Sequence, residues 1–338
     1  MTCRFGSLIL AGMLAALAGC SGGNTSTSVE LLNVSYDPTR ELWREINAAF
    51  IPEYEKTIGK SVEIKQSHGG STSQARAVVD GLEADVVTLA LWPDTDAIRR
   101  KGLINEKWEQ RLPERSSAYF STIVFVVRKG NPKNIRDWQD LAKEGVGVIT
   151  PNPKTSGNGK LSFLAAWGDA KKRGLSDDDA EAFIRKVYRN VLVLDTGARG
   201  ATVTFAQRNL GDVHLTWENE AHLEIEEAKG TLELVYPKTS IKAEPYIAVV
   251  DKNVDRRGTR AAAEAYLKLL YTDAGQEIIA KHYYRPIKTE VLKKHESKFP
   301  AIDLFSVESF AKDWDDVQAR FFAEGAVFDR IYSKQNKK

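Results

Sequence analysis

The 338-residue sequence predicts a two-lobed α/β protein with mainly parallel sheets flanked by helices. Three observations lead there. Strand-like and helix-like segments alternate along the chain, the pattern of parallel strands joined by helical crossovers. Residues 84–91 form a mostly apolar run, as expected of a strand covered on both faces. The length suffices for two cores of ordinary size.

Taken in order, residues 30–35 read as a strand. Leu42, Trp43, Ile46, Phe50 and Tyr54 then recur at helical spacing, and Pro52 is expected to end or kink that helix. Residues 62–66 alternate like a strand and run into Ser67-His68-Gly69-Gly70-Ser71. The next helix carries Ala75, Val78, Val79 and Leu82 on one face. After the buried strand at 84–91 come a strand at 121–128 and a short amphipathic helix at 135–144. A buried strand at 146–149 leads into the small-residue segment 149–160, and a helix follows at 161–172. Phe183, Ile184, Val187 and Tyr188 mark another helix. The strand at 191–194 meets Asp195-Thr196-Gly197-Ala198-Arg199-Gly200-Ala201, and the strand at 212–217 meets a helix that starts at Glu218. Strands are expected at 232–236 and 246–250, and the chain from Arg260 onward reads mostly helical. Crossings between lobes are placed near 119–122 and 244–247. Lobe 1 is then 30–119 with 246–338, and lobe 2 is 120–245.

The N-terminus differs from the rest. Arg4 precedes an apolar stretch at 8–17, too short for a membrane-spanning helix of a folded protein and fitting a secretory signal over 1–19. Leu17-Ala18-Gly19-Cys20 resembles the lipobox of bacterial lipoproteins, in which Cys20 becomes the lipidated first residue; an ordinary cleaved signal peptide is the plainer reading. Residues 20–29 are a polar, flexible tether. Cys3 and Cys20 are the only cysteines, so the mature domain carries no thiol chemistry of its own.

Basic and acidic residues nearly balance, at 48 and 46, for a formal charge of +2. A nucleic-acid surface would need a concentrated basic stripe, and none is present. The five histidines include no His-Glu-x-x-His, and the chain has no Gly-x-Ser-x-Gly elbow. In segment 149–160, Lys154 stands where a phosphate loop needs its first Gly, and Leu161 stands where it needs Ser or Thr.

The positive evidence lies at four turns. Ser71, the run Ser156-Gly157-Asn158, Ala198 and Trp217 each fall just after a predicted strand and at or before a helix start. In open α/β sheets ligands gather at the carboxyl ends of strands, where free helix N-terminal amides attract anions. One such turn alone reads as a cap; four together suggest an anion site. His68 beside Gly69-Gly70 reads as a hydrogen-bonding residue, since no nucleophile stands next to it. Asp37 and Arg40 either pair locally or brace the site.

These same turns resemble the periplasmic sulfate-binding proteins that serve ABC importers. The likeness covers nearly all of the mature chain. Its carriers are residues 31–42, Gln66-Ser67-His68-Gly69-Gly70-Ser71, residues 84–90 and 127–133, Asn152-Pro153-Lys154-Thr155-Ser156-Gly157, residues 197–202, and Trp217-Glu218-Asn219-Glu220. The resemblance implies a two-lobed periplasmic binding protein of the second topological type. It also implies sulfate held in the cleft by neutral donors: Ser71 from one lobe, and Ser156, Gly157, Asn158, Ala198 and Trp217 from the other. Asp37, His68 and Arg199 are expected to support them. Asn158 stands where sulfate binders often carry Gly and the thiosulfate branch commonly carries Asn, whereas Trp217 matches the sulfate branch. Lys154 and Lys160 are expected outside the pocket. The expected protein is a lipid-anchored, monomeric receptor of the cell envelope, with no cofactor, no metal and no catalysis. It would hand sulfate to a permease and its ATPase. Alternatives are a receptor preferring thiosulfate, molybdate or tungstate, and an envelope hydrolase of phosphate or sulfate esters.

Overall fold

The computed structural model describes residues 28–333; the expected signal, Cys20 and most of the tether lie outside them. Lobe 1 is built on a four-stranded sheet. Its strands are β1 (Val29–Tyr36), β2 (Val62–Gly69), β3 (Val86–Leu89) and β11 (Tyr246–Val249), in the order β11-β3-β1-β2. β1 runs parallel to β2 and β3, and β11 joins antiparallel. Lobe 2 has a five-stranded sheet of β5 (Ile123–Arg128), β6 (Val148–Pro151), β7 (Val191–Asp195), β8 (Val213–Trp217) and β9 (Leu232–Val235), in the order β7-β6-β8-β5-β9. There β6, β7 and β8 are parallel, while β5 is antiparallel to both neighbours. The mostly apolar runs in β3, β5 and β8 follow from burial: these strands are covered on both faces.

The helix Arg40–Ile58 buries Leu42, Trp43, Ile46, Phe50 and Tyr54 and passes through Pro52 to end at Gly59, whose φ is +70°. Proline removes one backbone bond; the apolar face on both sides of it, Phe50 and Tyr54, still packs into the lobe 1 core. The helix expected at 135–144 is a single 3-10 turn, Trp138–Ala142. An Asp137 capping box starts it, and it ends before Gly145 at φ +75°.

The lobes meet at short antiparallel pairings. β4 (Tyr119–Phe120) pairs with β12 (Arg285–Pro286), and Ser121 and Ala243 exchange both backbone bonds at 2.9 Å. The C-terminal portion corrects one expectation. Residues 303–333 sit on lobe 2, not lobe 1: β13 (Asp303–Phe305) pairs with β10 (Thr239–Ile241), and Phe321, Phe322 and Phe328 pack with Phe163 and Trp167. The crossing back to lobe 2 falls at 300–302, where Pro300 O accepts from Arg285 Nη2 at 2.9 Å.

Candidate functional site

Strand ends and helix starts converge between the lobes. The Ser71–Val79 helix begins directly after β2, the Gly157–Lys172 helix follows β6, the Ala198–Thr202 helix follows β7, and the Glu218–Glu227 helix follows β8. In the first three, the earliest helical bonds come from Gln74 to Gly70, Lys160 to Ser156 and Ala201 to Gly197. The amides at 71–73, 157–159 and 198–200 therefore stay outside the ladders as free donors, each at the positive end of its helix.

One small cavity collects these ends. Its lining includes Ser71, Ser156, Gly157, Asn158, Ala198 and Trp217, the six residues singled out from the sequence, together with Tyr36, Asp37 and Gly70. All six are almost completely buried. The Trp217 indole makes the sharpest demand. Its ring is 0% exposed and rests against Tyr36 with centroids 5.3 Å apart, yet its Nε1 donor has no acceptor. A buried donor left without a partner is costly; the indoles of Trp43, Trp92 and Trp167 share that state, but of the four only Trp217 lines this cavity, where a ligand oxygen would supply the acceptor.

The Ser71 hydroxyl is already engaged within the chain. Its proton goes to Asp94 Oδ2 at 2.5 Å, while Oγ accepts from Ala90 N at 2.9 Å. What Ser71 offers the cavity is its amide. The Asn158 side chain also turns away: Nδ2 donates to Leu215 O at 3.3 Å and Oδ1 accepts from Ser162 Oγ at 3.3 Å. Its backbone N–H remains at the helix start.

Of the supporting residues, Asp37 lines the cavity with one oxygen held by Arg40 Nη2 at 2.8 Å. The other faces Gly197, where a Cβ would come within 2.5 Å of it. His68 lies beside the cavity and not in its lining, with Nδ1 2.8 Å from Ser35 Oγ and Nε2 2.6 Å from Gln66 Oε1. Burial, aided by the Arg40 guanidinium, pushes its pKa down to about 4, so the ring is neutral. Arg199 spans the lobes: Nη2 donates to Glu41 Oε2 at 2.6 Å, and Nε lies 2.7 Å from Glu220 Oε2. Burial would depress this guanidinium, but the two carboxylates hold it above its ordinary value. Glu220 is driven the other way, up to about 7, because burial outweighs its arginine.

The two lysines stand off the lining. Lys154 Nζ contacts Phe322 O at 2.8 Å, and Lys160 Nζ lies 4.0 Å from Asp94 Oδ1. Among the described residues no group of three or more His, Cys, Asp or Glu could hold a metal. The chemistry available is hydrogen-bond donation from amides and an indole toward a small anion.

Sequence reasoning did not single out Asp94 or Tyr36, nor the close approach of the lobes at Gly70 and Gly157. Asp94 follows the end of β3 and Tyr36 ends β1, so the strand-end rule that found the other turns applies to both. Gly70 and Gly157 let the lobes approach closely: a Cβ on Gly70 would fall 2.5 Å from the backbone oxygen of Thr155, and one on Gly157 would fall 2.5 Å from Ala90 Cβ.

Known proteins resemble this chain in sequence and fold. The model of the bacterial extracellular solute-binding protein family matches residues 32–285. A sulfate-binding protein of Escherichia coli (strain K12) is 53% identical over 305 residues, which cover 90% of this chain and 93% of that protein. A thiosulfate-binding protein of Pseudomonas aeruginosa is 49% identical over 314 residues, covering 92% of this chain and 95% of its own. Among solved structures, the sulfate-binding protein SubI of Mycobacterium tuberculosis H37Rv matches with a TM-score of 0.80 at 30% identity, over 87% of this chain and 99% of its own. On sequence and fold, the chain belongs to the bacterial extracellular solute-binding proteins, in the branch of the periplasmic sulfate-binding proteins.

Proposed function

We propose that the protein is a receptor that closes its lobes over sulfate and delivers it to an ABC-type importer, binding without catalysis. The observation that carries this reading is the fully buried, acceptor-less indole N–H of Trp217 at a cavity where three helix N-termini converge. Three such termini, at roughly half a charge each, offset most of a dianion without a salt bridge. Hydrogen bonds to charged oxygen contribute roughly 1.5–3 kcal/mol each, enough to offset desolvation of the ion. After closure and ordering, the net should approach the roughly −8 kcal/mol of a micromolar binder.

Sulfate is fully ionised at neutral pH and needs only donors. Phosphate brings a proton that requires an acceptor. Asp37 is the one carboxylate of the lining, and it is engaged by Arg40 and turned toward Gly197. The 49% identity to a protein named for thiosulfate, together with Asn158, favours thiosulfate as the second reading. A calorimetric competition among sulfate, thiosulfate, molybdate and phosphate tests both. Sulfate should bind tightest and phosphate should not compete. Tighter thiosulfate would select the second reading, and hydrolysis of a sulfate or phosphate ester would overturn the receptor assignment.

We further propose a periplasmic location with a lipid anchor at Cys20, supported by Leu17-Ala18-Gly19-Cys20. Cys20→Ser protein should leave the membrane fraction; unchanged partitioning would place the anchor elsewhere.

A further inference from the structure

We propose that Lys154 is a positioning residue that ties the anion-lining loop to the C-terminal segment and sets the register of Ser156 and Gly157 toward the ligand. The inference rests on the anion-receptor reading above. In Asn152-Pro153-Lys154-Thr155-Ser156-Gly157, the four residues from Lys154 to Gly157 engage different parts of the molecule. Lys154 Nζ reaches Phe322 O at 2.8 Å, Ala323 O at 3.3 Å and Asp329 Oδ1 at 3.0 Å. Thr155 donates its hydroxyl to Thr196 O at 2.9 Å, and its own carbonyl approaches Gly70 of the other lobe. Ser156 and Gly157 line the cavity.

The lysine meets the end of a π-helical turn, Gln318–Phe322, where backbone carbonyls lack helical partners, so its ammonium acts as a C-terminal cap supplied from a distant loop. The segment it grips is itself anchored. β13 pairs with β10, Arg320 Nη2 bonds Asp177 at 3.0 Å, and Arg330 Nη2 bonds Glu181 at 2.8 Å. Phe321, Phe322 and Phe328 surround Phe163 of the Gly157–Lys172 helix. The helix that offers its N-terminus to the cavity is thus held along its body by this segment, and Lys154 fixes the loop at its start.

The loop's own turn is closed by short-range bonds, and Asn152 N joins it to Asp195 O at 2.7 Å. Asn152 Oδ1 accepts from Lys154 N at 2.9 Å, and Asn152 O accepts from the amides of Thr155 and Ser156. These bonds define the shape of the turn. The Lys154 ammonium is what relates that shape to the C-terminal segment, and a displacement at Lys154 passes through two peptide units to Ser156.

The test compares Lys154→Met, Lys154→Arg and Asp329→Asn by titration with sodium sulfate, alongside amide hydrogen exchange over 152–159 in sulfate-free protein. Lys154→Met should weaken sulfate by about tenfold and speed exchange of the Thr155 and Ser156 amides, which bond Asn152 O; Lys154→Arg should restore most of both, and Asp329→Asn should fall between. Combined with Ser156→Ala, the Lys154→Met loss should be less than multiplicative, because both changes act on one loop. Sulfate affinity within about twofold of wild type in Lys154→Met, or a fully multiplicative double mutant, overturns the proposal. If wild-type protein fails to bind sulfate, the receptor reading falls, and exchange in the sulfate-free variants still decides whether Lys154 orders the loop. Should Lys154→Met not fold, Asp329→Asn carries both measurements, and unchanged exchange with unchanged affinity there overturns the proposal.

Discussion

Adding a single methyl group at Gly157 tests whether closure, and not merely the set of donors, creates the site. Gly157 opens a helix and has ordinary helical geometry, so alanine suits lobe 2 taken alone and gains up to about 1 kcal/mol of helix propensity. Across the cleft the new Cβ would lie 2.5 Å from Ala90 Cβ. Carbon atoms settle at roughly 3.5–4.0 Å, so the lobes must stand off by about 1 Å. A donor bond stretched from about 2.9 Å by that amount is no longer a bond. Loss of the equivalent of one to two bonds to a charged oxygen amounts to about 3 kcal/mol, or roughly a hundredfold in Kd. Calorimetry with sulfate reads the affinity, and thermal melts with and without sulfate separate closure from folding. The ligand-free melt of Gly157→Ala should match wild type or exceed it, while the sulfate-induced rise in Tm should largely vanish. Ala90→Gly in the same chain removes the obstructing methyl and should recover most of the affinity. Gly157→Ala protein that binds sulfate within about threefold of wild type would refute the argument that Gly157 must lie against the Ala90 methyl.

Other substitutions probe the donors and the buried charges. Trp217→Phe keeps the ring against Tyr36 but removes the partnerless N–H, so sulfate should weaken by about tenfold or more and thiosulfate by less; equal losses would count against the indole as the discriminating group. Ser156→Ala should cost on the order of 1–3 kcal/mol of sulfate binding energy, and unchanged calorimetric affinity would remove its hydroxyl from the site. Glu220, with its pKa raised from 4.5 to about 7, binds more proton folded than unfolded across that interval. Its contribution to stability therefore declines as pH rises through the same window. Melting temperatures of Glu220→Gln should show a flatter pH profile there, and an unchanged slope would mean that another group titrates.

The turns were legible because each follows a strand whose apolar run is local in sequence, and glycine or serine at a strand end restricts what can follow. That rule brought together residues as far apart as Ser71 and Trp217. It could not show that the Ser71 hydroxyl is taken by Asp94, because that bond depends on where the end of β3 lands in space. The seat of the C-terminal segment was hidden for a similar reason. Its pairing uses only Asp303, Leu304 and Phe305, too short a run to reveal a partner, and the notch that receives Phe305 is the bare Cα of Gly168 in a distant helix. Pro52 misled in the opposite direction: its local effect is unfavourable, and packing of the residues on either side of it overrides that effect.

The paired crossings between the lobes have a consequence for the thermodynamics of capture. Ser121 and Ala243 bond each other in both directions, β4 and β12 run alongside, and Pro300 is tied to Arg285 where the chain returns to lobe 2. Two bodies free to drift would have six relative degrees of freedom, and a ligand joining them would have to suppress every one. Three parallel tethers leave in essence a single angular coordinate, so most of that entropy is already surrendered when the polypeptide folds. An ion of five atoms offers few contacts with which to organise two halves of a protein; here it has only to complete an arc whose axis is already built.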